Sequence, residues 1–289
     1  MHPKMLIFGF GYTAHFLAKR LAALDFHVVG TSRNQDFLGQ HNEKGYELIN
    51  FTKSDIEKSL STATHILVST PPSTDFGDPV LAHFVDLIKK YAGQSQWLGY
   101  LSSTGVYGDH QGGWVDESSA SLSLGQQAKV RLNAEKAWGS LAKNHQLPLH
   151  IFRIAGIYGP QRNALTRIAQ GKIQTVYKEN HFFSRIHVAD IAAVLIASIK
   201  NPNPISIYNV ADDEPAPSYE VDAYASYLLN IPAPEKIPFE LATLSPMTKE
   251  FYTHHRRVSN VKIKQELFVK LMYPTYREGL QHLYDTGDY

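Results

Sequence analysis

Apolar and polar positions alternate in blocks along the first half of the chain. The short apolar runs that predict buried strands lie at 5–8, 26–31, 46–50, 65–69 and 97–102. The stretches with a helical period lie at 16–24, 54–60 and 79–91. Because strands and helices of this length alternate, the pattern predicts an α/β fold with a doubly wound parallel sheet, whose ligands lie at the carboxyl ends of the strands.

The first predicted strand runs directly into a glycine turn. Gly9 and Gly11 allow a sharp bend and a close approach of the backbone to a pyrophosphate, and Ala14 stands where a third glycine often stands. The free N–H groups of the following helix supply an anion site. The sequence therefore predicts a Rossmann-type dinucleotide site, in which Tyr12 and Thr13 join the two glycines in contact with the cofactor.

The second predicted strand indicates which dinucleotide is bound. It ends at Ser32-Arg33, and no carboxylate follows Gly30 before position 36. An acidic residue at this place holds the ribose 2′-hydroxyl of NAD, whereas an arginine accommodates the 2′-phosphate of NADP. We therefore predict NADP rather than NAD; the alternative is that Arg33 is an exposed loop charge. The cofactor residues predicted at the end of the fourth strand are Ser69, Thr70 and Pro71.

Six further segments resemble one protein family. They read SSTGVYGD at 102–109, RIAGIYGP at 153–160, FSRIHVADIA at 183–192, YNVA at 208–211, RVSN at 257–260 and YPTYREGL at 273–280. In this order they resemble the extended and atypical short-chain dehydrogenase/reductases, which include the NAD(P)-dependent epimerase/dehydratase family. The resemblance spans nearly the whole chain and implies a Rossmann-type sheet with a smaller C-terminal substrate lobe.

The resemblance also divides the chain into two lobes. The dinucleotide-binding lobe comprises residues 1–155 and 186–212, and the substrate lobe comprises residues 156–185 and 213–289. The substrate residues placed in the smaller lobe or at its seam with the sheet are Thr104, Tyr158, Arg162, Arg185 and Arg257. Together with Arg256, these arginines suit a phosphorylated or otherwise anionic small molecule, such as a sugar nucleotide. The alternative is scattered surface charge.

The catalytic positions depart from the family pattern. The resemblance places Ser103 where relatives polarise the substrate oxygen, and it places Glu135 eight positions after the slot of their catalytic tyrosine. Counting back puts Gln127 in the tyrosine slot and Arg131 in the lysine slot of the Tyr-x-x-x-Lys pair. Because glutamine cannot exchange a proton in the required range and arginine stays charged, the usual mechanism cannot operate here.

The predicted catalytic set is Ser103, Tyr107 and Arg131. Tyr107, like Tyr158, lies near the carboxyl edge of the sheet, where a phenol can donate a proton to a developing alkoxide. The alternative for both tyrosines is packing, with the hydroxyl on a backbone group. Ser103 either donates to an oxyanion or caps a turn, and Arg131 either holds the nicotinamide ribose or lies on a solvated helix face.

Several other polar residues are predicted to have no catalytic role. His187 is expected to be a hydrogen-bonded core histidine, and Asp190 is expected to be a helix N-cap. The pair Asp116-Glu117 lies in a polar loop and is expected to face solvent. The cluster His254-His255 is a poor metal site, because adjacent side chains diverge in regular structure, and no metal is predicted.

Composition narrows the class of protein. The chain has 289 residues, a formal net charge of +1 and no cysteine. The charge balance argues against nucleic acid and membrane surfaces as partners, and no segment approaches the ~18 apolar residues of a membrane span. The lack of cysteine excludes disulfides and thiolate chemistry and fits a cytoplasmic protein. The expected partner is a small molecule; a homodimer is an open option, since helix pairs in the resembled family commonly build dimers.

Two functions fit these observations. The first is an NADP-dependent oxidoreductase or epimerase/dehydratase-like enzyme that moves hydride between nicotinamide C4 and a carbon bearing oxygen. The second is a catalytically inactive NADP(H)-binding protein that senses redox state or binds a partner. Gln127 and Arg131 favour the second, whereas the segment from Ser103 to Gly108 and the arginines favour the first.

Overall fold

The structure, a computed structural model, describes residues 2–33, 45–122 and 125–289. The strands are β1 (Lys4–Phe8), β2 (His27–Ser32), β3 (Tyr46–Asn50), β4 (His65–Val68), β5 (Trp97–Ser103), β6 (Trp114–Val115), β7 (Leu149–Ile154), β8 (Gly156–Tyr158), β9 (Gln174–Tyr177), β10 (Arg185–His187), β11 (Ser206–Val210), β12 (Glu235–Pro238) and β13 (Arg257–Val258). The helices are α1 (Tyr12–Ala22), α2 (Lys53–Leu60), α3 (Pro79–Lys90), α4 (Gln126–His145), α5 (Ala164–Ala169), α6 (Val188–Lys200), α7 (Ser218–Leu228), α8 (Pro246–Thr253), α9 (Val261–Glu266) and α10 (Tyr276–Thr286).

Seven of these strands form one sheet, in the order β11-β7-β5-β4-β1-β2-β3. All neighbouring pairs in it are parallel. The five strands predicted from apolar runs are all present, with ends within one residue of the prediction. The strand order reverses between β1 and β4, which is where ligands bind in open α/β sheets. The predicted doubly wound, Rossmann-type fold is therefore confirmed.

The central strand is covered on both faces. Met5 and Ile7 of β1 pack in an apolar cluster with α1 and α6, whereas Leu6 and Phe8 pack in a second cluster with α2, α3 and α4. All four side chains are fully buried. A parallel strand buried on both faces reads as a continuous apolar run, which is why β1 shows no alternation in the sequence.

A third apolar cluster forms the core of the smaller lobe, from α5, α7, α10 and the end of β8. Its members come from the segments 156–185 and 213–289, which the sequence assigns to the substrate lobe. Within the second of these segments, however, Val258, Ile263 and Leu267 pack in the core of the sheet instead. The lobe boundaries themselves stay a prediction.

The start of α6 differs from the expectation. The N-cap is His187, whose Nδ1 accepts from the Ala189 N–H at 3.2 Å; it is buried, as predicted, and burial lowers its pKa to about 4. The prediction of Asp190 as the N-cap is wrong. Its buried carboxylate accepts from the N–H groups of Met272 and Tyr273, at 2.7 and 3.0 Å. Asp190 thus holds the C-terminal segment against α6.

The outer strand β11 is bounded by two side chains rather than by a further strand of the described chain. Glu117 accepts from the Asn209 N–H at 2.7 Å, and the Lys262 ammonium donates to the Ile207 carbonyl at 2.9 Å. Asp116 is exposed, as expected, but Glu117 is half-buried, and the expectation that it faces solvent is wrong for that residue.

Candidate active site

The turn after β1 is held in a conformation that requires glycine. Gly9 has φ +85°, and a Cβ there would lie 2.7 Å from Cγ2 of Thr70. The Gly9 N–H donates to Oγ1 of Thr31 at 2.9 Å, and the Phe10 N–H donates to the Thr31 carbonyl at 3.0 Å. The turn is therefore tied to the end of β2 and packed against the end of β4.

The N-terminus of α1 is open where the turn meets the helix. Gly11 is the N-cap, and its backbone φ of −100° suits any residue. A Cβ on Gly11 would meet no atom within 4 Å, and the first turn carries neither a side-chain cap nor an acidic residue. Free helix N–H groups with space above them form a suitable cradle for a phosphate.

A cavity of about 890 Å³ lies between the carboxyl edge of the sheet and the smaller lobe. On the cofactor side it is lined by Thr13 of α1 and Ser69 after β4. On the opposite side it is lined by Ser103, Thr104 and Arg131. The structure therefore places predicted cofactor, catalytic and substrate residues on the wall of one cavity.

The other predicted cofactor residues do not line this cavity. Thr70 follows β4, and its hydroxyl is buried without a hydrogen-bond partner among the described residues. Pro71 is exposed. Ser32 and Arg33 lie at the end of β2, with Ser32 half-buried and Arg33 exposed. The residues that follow, 34–44, lie outside the described residues, so the role of Arg33 stays a prediction.

Ser103 caps a turn, which is one of the two roles that the sequence leaves open, and it also faces the cavity. Its Oγ accepts from the Gly105 N–H at 3.0 Å and so caps the short helix Thr104–Tyr107. The same side chain lines the cavity. A hydroxyl that accepts one hydrogen bond still has a proton to donate, so the cap leaves Ser103 able to donate to a substrate oxygen.

Arg131 reaches the cavity wall from α4. Its Nη1 donates to the Leu101 carbonyl of β5 at 3.0 Å, which holds the guanidinium at the end of the sheet. Arg131 is half-buried, so it does not lie on a solvated helix face. Gln127, one turn earlier, is exposed and does not line the cavity. These two positions, one helical turn apart on α4, therefore have different surroundings.

A buried polar network lies behind Ser103. Arg153 of β7 donates to both carboxylate oxygens of Glu135 on α4, through Nε at 3.2 Å and Nη2 at 2.8 Å. The Ser102 hydroxyl donates to the same carboxylate. The network therefore joins α4 to the ends of β5 and β7, the two strands that carry the catalytic edge.

Tyr107 belongs to this network and not to the cavity. It is fully buried, its hydroxyl donates to Oδ1 of Asn209 at 2.7 Å, and the Arg153 guanidinium lies 4.8 Å from its ring centroid. Burial raises its pKa further from neutrality. The structure does not support the catalytic role predicted for Tyr107: it packs, as in the alternative given by the sequence, but its hydroxyl bonds a side chain and not the expected backbone group.

Tyr158 lines the cavity, but its hydroxyl points elsewhere. The hydroxyl donates to the Thr275 carbonyl at 3.3 Å and lies against Gly279, where a Cβ would overlap it. Burial raises its pKa strongly. The described geometry therefore supports contact between its ring and a ligand and does not support proton transfer.

The charge of the cavity wall has one sign. The cations that line it are Arg131, Arg162, Arg167, Lys172, Arg185 and Arg256. No aspartate or glutamate lines it within the described part of the chain. Such a wall favours an anionic ligand.

Two of the predicted substrate arginines differ in their surroundings. Arg185 lines the cavity, and its Nη1 donates to the carbonyls of Phe183 and Ala216, at 2.8 and 2.7 Å. Arg257 does not line it. Its Nε donates to the Gly112 carbonyl at 2.7 Å, and its guanidinium lies 5.4 Å from the ring of Trp114. The substrate role predicted for Arg257 is corrected for this reason.

Its neighbour Arg256 points into the cavity instead. Its Nη1 donates to the Gly108 carbonyl at 2.9 Å, and its Nε is buried without a hydrogen-bond partner among the described residues. Burial lowers its pKa to about 10. The sequence places both arginines near the substrate. Only the alternation of side-chain direction at the start of β13 could indicate which of the two faces the cavity.

Arg167 and Lys172 were missed by the sequence analysis. Both pair with the fully buried Asp222 of α7, at 3.4 and 2.6 Å, and the Thr175 hydroxyl donates to the same carboxylate at 2.5 Å. Only their positive charge, in the least regular part of the chain, could have indicated them.

The described ranges contain no group of three histidine, aspartate or glutamate side chains placed to hold a metal ion. Nor does any helix within them have the length and apolar character needed to cross a membrane.

The chain has the fold of solved epimerase and dehydratase structures, two of which hold NAD. One structure similar to it is a dTDP-glucose 4,6-dehydratase from Bacillus anthracis in complex with NAD, at 17% identity and a TM-score of 0.79, covering 98% of this chain and 96% of that one. Another is a UDP-glucuronic acid 4-epimerase from Bacillus cereus in complex with UDP-glucuronic acid and NAD, at 16% identity and a TM-score of 0.75, covering 98% of both chains.

A third structure is more similar. It is a conserved protein of unknown function from Silicibacter pomeroyi, with 44% identity and a TM-score of 0.92, covering 99% of this chain and 100% of that one. The chain belongs to the family of that protein. No protein-family model matches the chain, and no curated protein does.

Proposed function

We propose that the protein is an NADP-dependent oxidoreductase or epimerase/dehydratase-like enzyme, which transfers hydride to or from an oxygen-bearing carbon of an anionic small molecule. A single observation carries the proposal. One cavity joins the cofactor edge, at Thr13 and Ser69, to Ser103 and to a wall of six cations, and no carboxylate of the described chain lines it. The sugar nucleotides acted on by proteins of the same fold are one substrate class of this charge.

The described residues fit a dinucleotide at the strand-order reversal. Gly11 provides a cradle that a Cβ would fill, above free helix N–H groups. After β4, the strand next to β1, the buried Thr70 hydroxyl has no hydrogen-bond partner among the described residues. Both features suit the phosphates and riboses of a dinucleotide that lies across the β1 and β4 ends.

When bound, the nicotinamide ring supplies or accepts hydride at C4. Ser103 donates a hydrogen bond to the substrate oxygen and so stabilises the negative charge that develops there. Arg131 places a positive charge at the same wall, held by the Leu101 carbonyl. Arg256 binds an anionic group of the substrate near the Thr104–Tyr107 helix. Ser103, Arg131 and Arg256 together supply charge stabilisation at this wall.

Cofactor choice tests the role of Arg33. Wild-type protein is expected to bind NADPH more tightly than NADH, in titrations followed by cofactor fluorescence. Arg33→Ala is expected to weaken the binding of NADPH by ~1.5–3 kcal/mol, because a charge-assisted contact to the 2′-phosphate is lost. The binding of NADH is expected to stay unchanged. Lys19→Ala, an equal change of charge at an exposed site on α1, is the control and is expected to change neither affinity. Equal weakening of both cofactors by Arg33→Ala would contradict the assignment.

Turnover tests the role of Ser103. Carbonyl compounds that carry a phosphate or carboxylate are screened by the loss of NADPH absorbance. Ser103→Ala is then expected to lower turnover by about 100-fold, as for an oxyanion donor, and to leave cofactor affinity within about twofold. Thr52→Ala removes a comparable cap, at the start of α2 and outside the cavity, and is expected to keep full activity. If Ser103→Ala instead loses cofactor binding, the residue is a structural cap.

A second function is favoured by one observation. Gln127 stands in the tyrosine slot, and the hydroxyls of Tyr107 and Tyr158 are both engaged away from the cavity. A protein that binds NADP(H) and senses redox state or recruits a partner needs no proton donor there. NADPH binding without oxidation of NADPH by any anionic carbonyl compound would favour this function. Absence of binding to either dinucleotide would remove the redox role and leave the binding of a partner.

A further inference from the structure

A short loop from the smaller lobe lies beside the N-terminus of α1. In this loop the backbone groups of Gly159 and Arg162 hydrogen-bond to each other in both directions, at 3.1 and 3.0 Å. The buried Asn163 donates from Nδ2 to the Gly159 carbonyl at 2.9 Å, and its Oδ1 caps α5. The loop is therefore closed on itself, and the position from which the Arg162 side chain emerges is fixed.

The loop is also fastened to the cofactor lobe. Tyr12, the first residue of α1, donates from its hydroxyl to the Pro160 carbonyl at 2.9 Å. Burial raises the pKa of Tyr12 to about 12, so the phenol keeps the proton it donates. A Cβ on Gly159 would lie 2.6 Å from the Tyr12 hydroxyl, so only glycine allows this approach. The glycine turn of one lobe and the 159–163 loop of the other are thus in direct contact.

This contact brings the Arg162 guanidinium over the ring of Tyr12. Its Cζ lies 5.8 Å from the ring centroid of Tyr12, the residue next to Gly11. The side chain is exposed, lines the same cavity as Thr13, and takes part in none of the ion pairs found within the described ranges. Arg167 and Lys172, by contrast, are paired with Asp222. Arg162 is therefore an exposed cation, without an ion-pair partner in the described ranges, beside the first residue of α1.

We propose that Arg162 is a cofactor residue, donating to the pyrophosphate of the dinucleotide from across the seam between the lobes. This assignment rests on the proposed function and replaces the substrate role that the sequence predicts for Arg162. A planar guanidinium matches two phosphate oxygens, and the α1 N–H groups contact the pyrophosphate from the other side. The cofactor is then held by both lobes.

Titration of Arg162→Met with NADPH, NADH and ADP-ribose tests the proposal. All three ligands share the pyrophosphate, so all three are expected to bind about tenfold more weakly than to wild type, and by similar factors. Arg33→Ala, which acts at the 2′-phosphate, is expected to weaken NADPH alone. Arg162→Lys keeps a positive charge and is expected to recover part of the loss. Lys19→Met removes an exposed cation of α1 that does not line the cavity, and it is expected to leave all three affinities unchanged.

The outcomes separate this proposal from the function on which it rests. If wild type binds none of the three ligands, the proposed function fails. If wild type binds them and Arg162→Met binds them equally well, only the role of Arg162 is overturned. If Lys19→Met weakens binding as much as Arg162→Met does, the effect is one of overall charge, and the specific contact is overturned. Thermal unfolding of each variant shows that the comparison is made on folded protein.

Discussion

Replacing Arg153 with methionine is expected to lower the free energy of unfolding by about 3–5 kcal/mol. Arg153 and Glu135 are only 5% and 4% exposed, and the guanidinium meets both carboxylate oxygens. Methionine leaves the Glu135 carboxylate buried without a cation, and an unpaired charge in a protein interior is strongly destabilising. Chemical unfolding followed by circular dichroism measures the loss.

Two further variants make this result specific. A double variant, Arg153→Met with Glu135→Leu, removes both charges and is expected to recover most of the stability. Glu57→Gln breaks the exposed pair with Lys90, and it is expected to leave the unfolding midpoint nearly unchanged because solvent screens that pair. A wild-type midpoint for Arg153→Met would show that the Glu135 carboxylate is satisfied without arginine.

Gly11→Ala is expected to abolish dinucleotide binding in a protein that folds normally. A Cβ on Gly11 meets no atom of the protein, and its φ of −100° suits alanine, so stability is expected to change by less than about 0.5 kcal/mol. The added methyl occupies the space over the α1 N–H groups. Loss of two charge-assisted phosphate contacts costs about 3–6 kcal/mol, or an affinity at least roughly 100-fold weaker for NADPH and NADH alike. Titration and thermal unfolding of the same sample measure both quantities.

Gly9→Ala is the matched control for Gly11→Ala. Gly9 has φ +85°, and a Cβ there lies 2.7 Å from Cγ2 of Thr70, so this change is expected to lower stability as well as binding. The two glycines thus separate a requirement of the fold from a requirement of the ligand. Wild-type affinity for NADPH in Gly11→Ala would show that no phosphate lies above α1.

The sheet is predictable from the sequence because its strands are buried on both faces. Such strands appear in the sequence as short, unbroken apolar runs, and the helices between them show a clear helical period. The ends of β1 and of the other four predicted strands are therefore predicted to within one residue. The glycine turn is predictable for a similar reason. The backbone at Gly9 has a φ of +85°, which favours glycine, so this feature of the turn is visible in the sequence as a glycine.

The site is less predictable because its side chains are sorted by tertiary contacts. Tyr107 lies next to the catalytic segment in sequence, but its hydroxyl is taken by Asn209, a residue over 100 positions away. Arg256 and Arg257 are neighbours that point to different places, one into the cavity and one onto Trp114. Asp190 likewise finds its partners at Met272 and Tyr273, which no local pattern indicates.

The outer strand β11, whose backbone groups are partly occupied by side chains, affects how readily copies of the protein associate through their sheet edges in a crowded solution. An uncovered outer strand presents a row of unpaired backbone groups, on which a foreign chain can form intermolecular β-structure. Along β11 the Asn209 N–H is occupied by Glu117, and the Ile207 carbonyl is occupied by Lys262. The two side chains also carry opposite charges, which an incoming strand would have to strip of water. This side of the molecule is thereby protected against edge-to-edge aggregation.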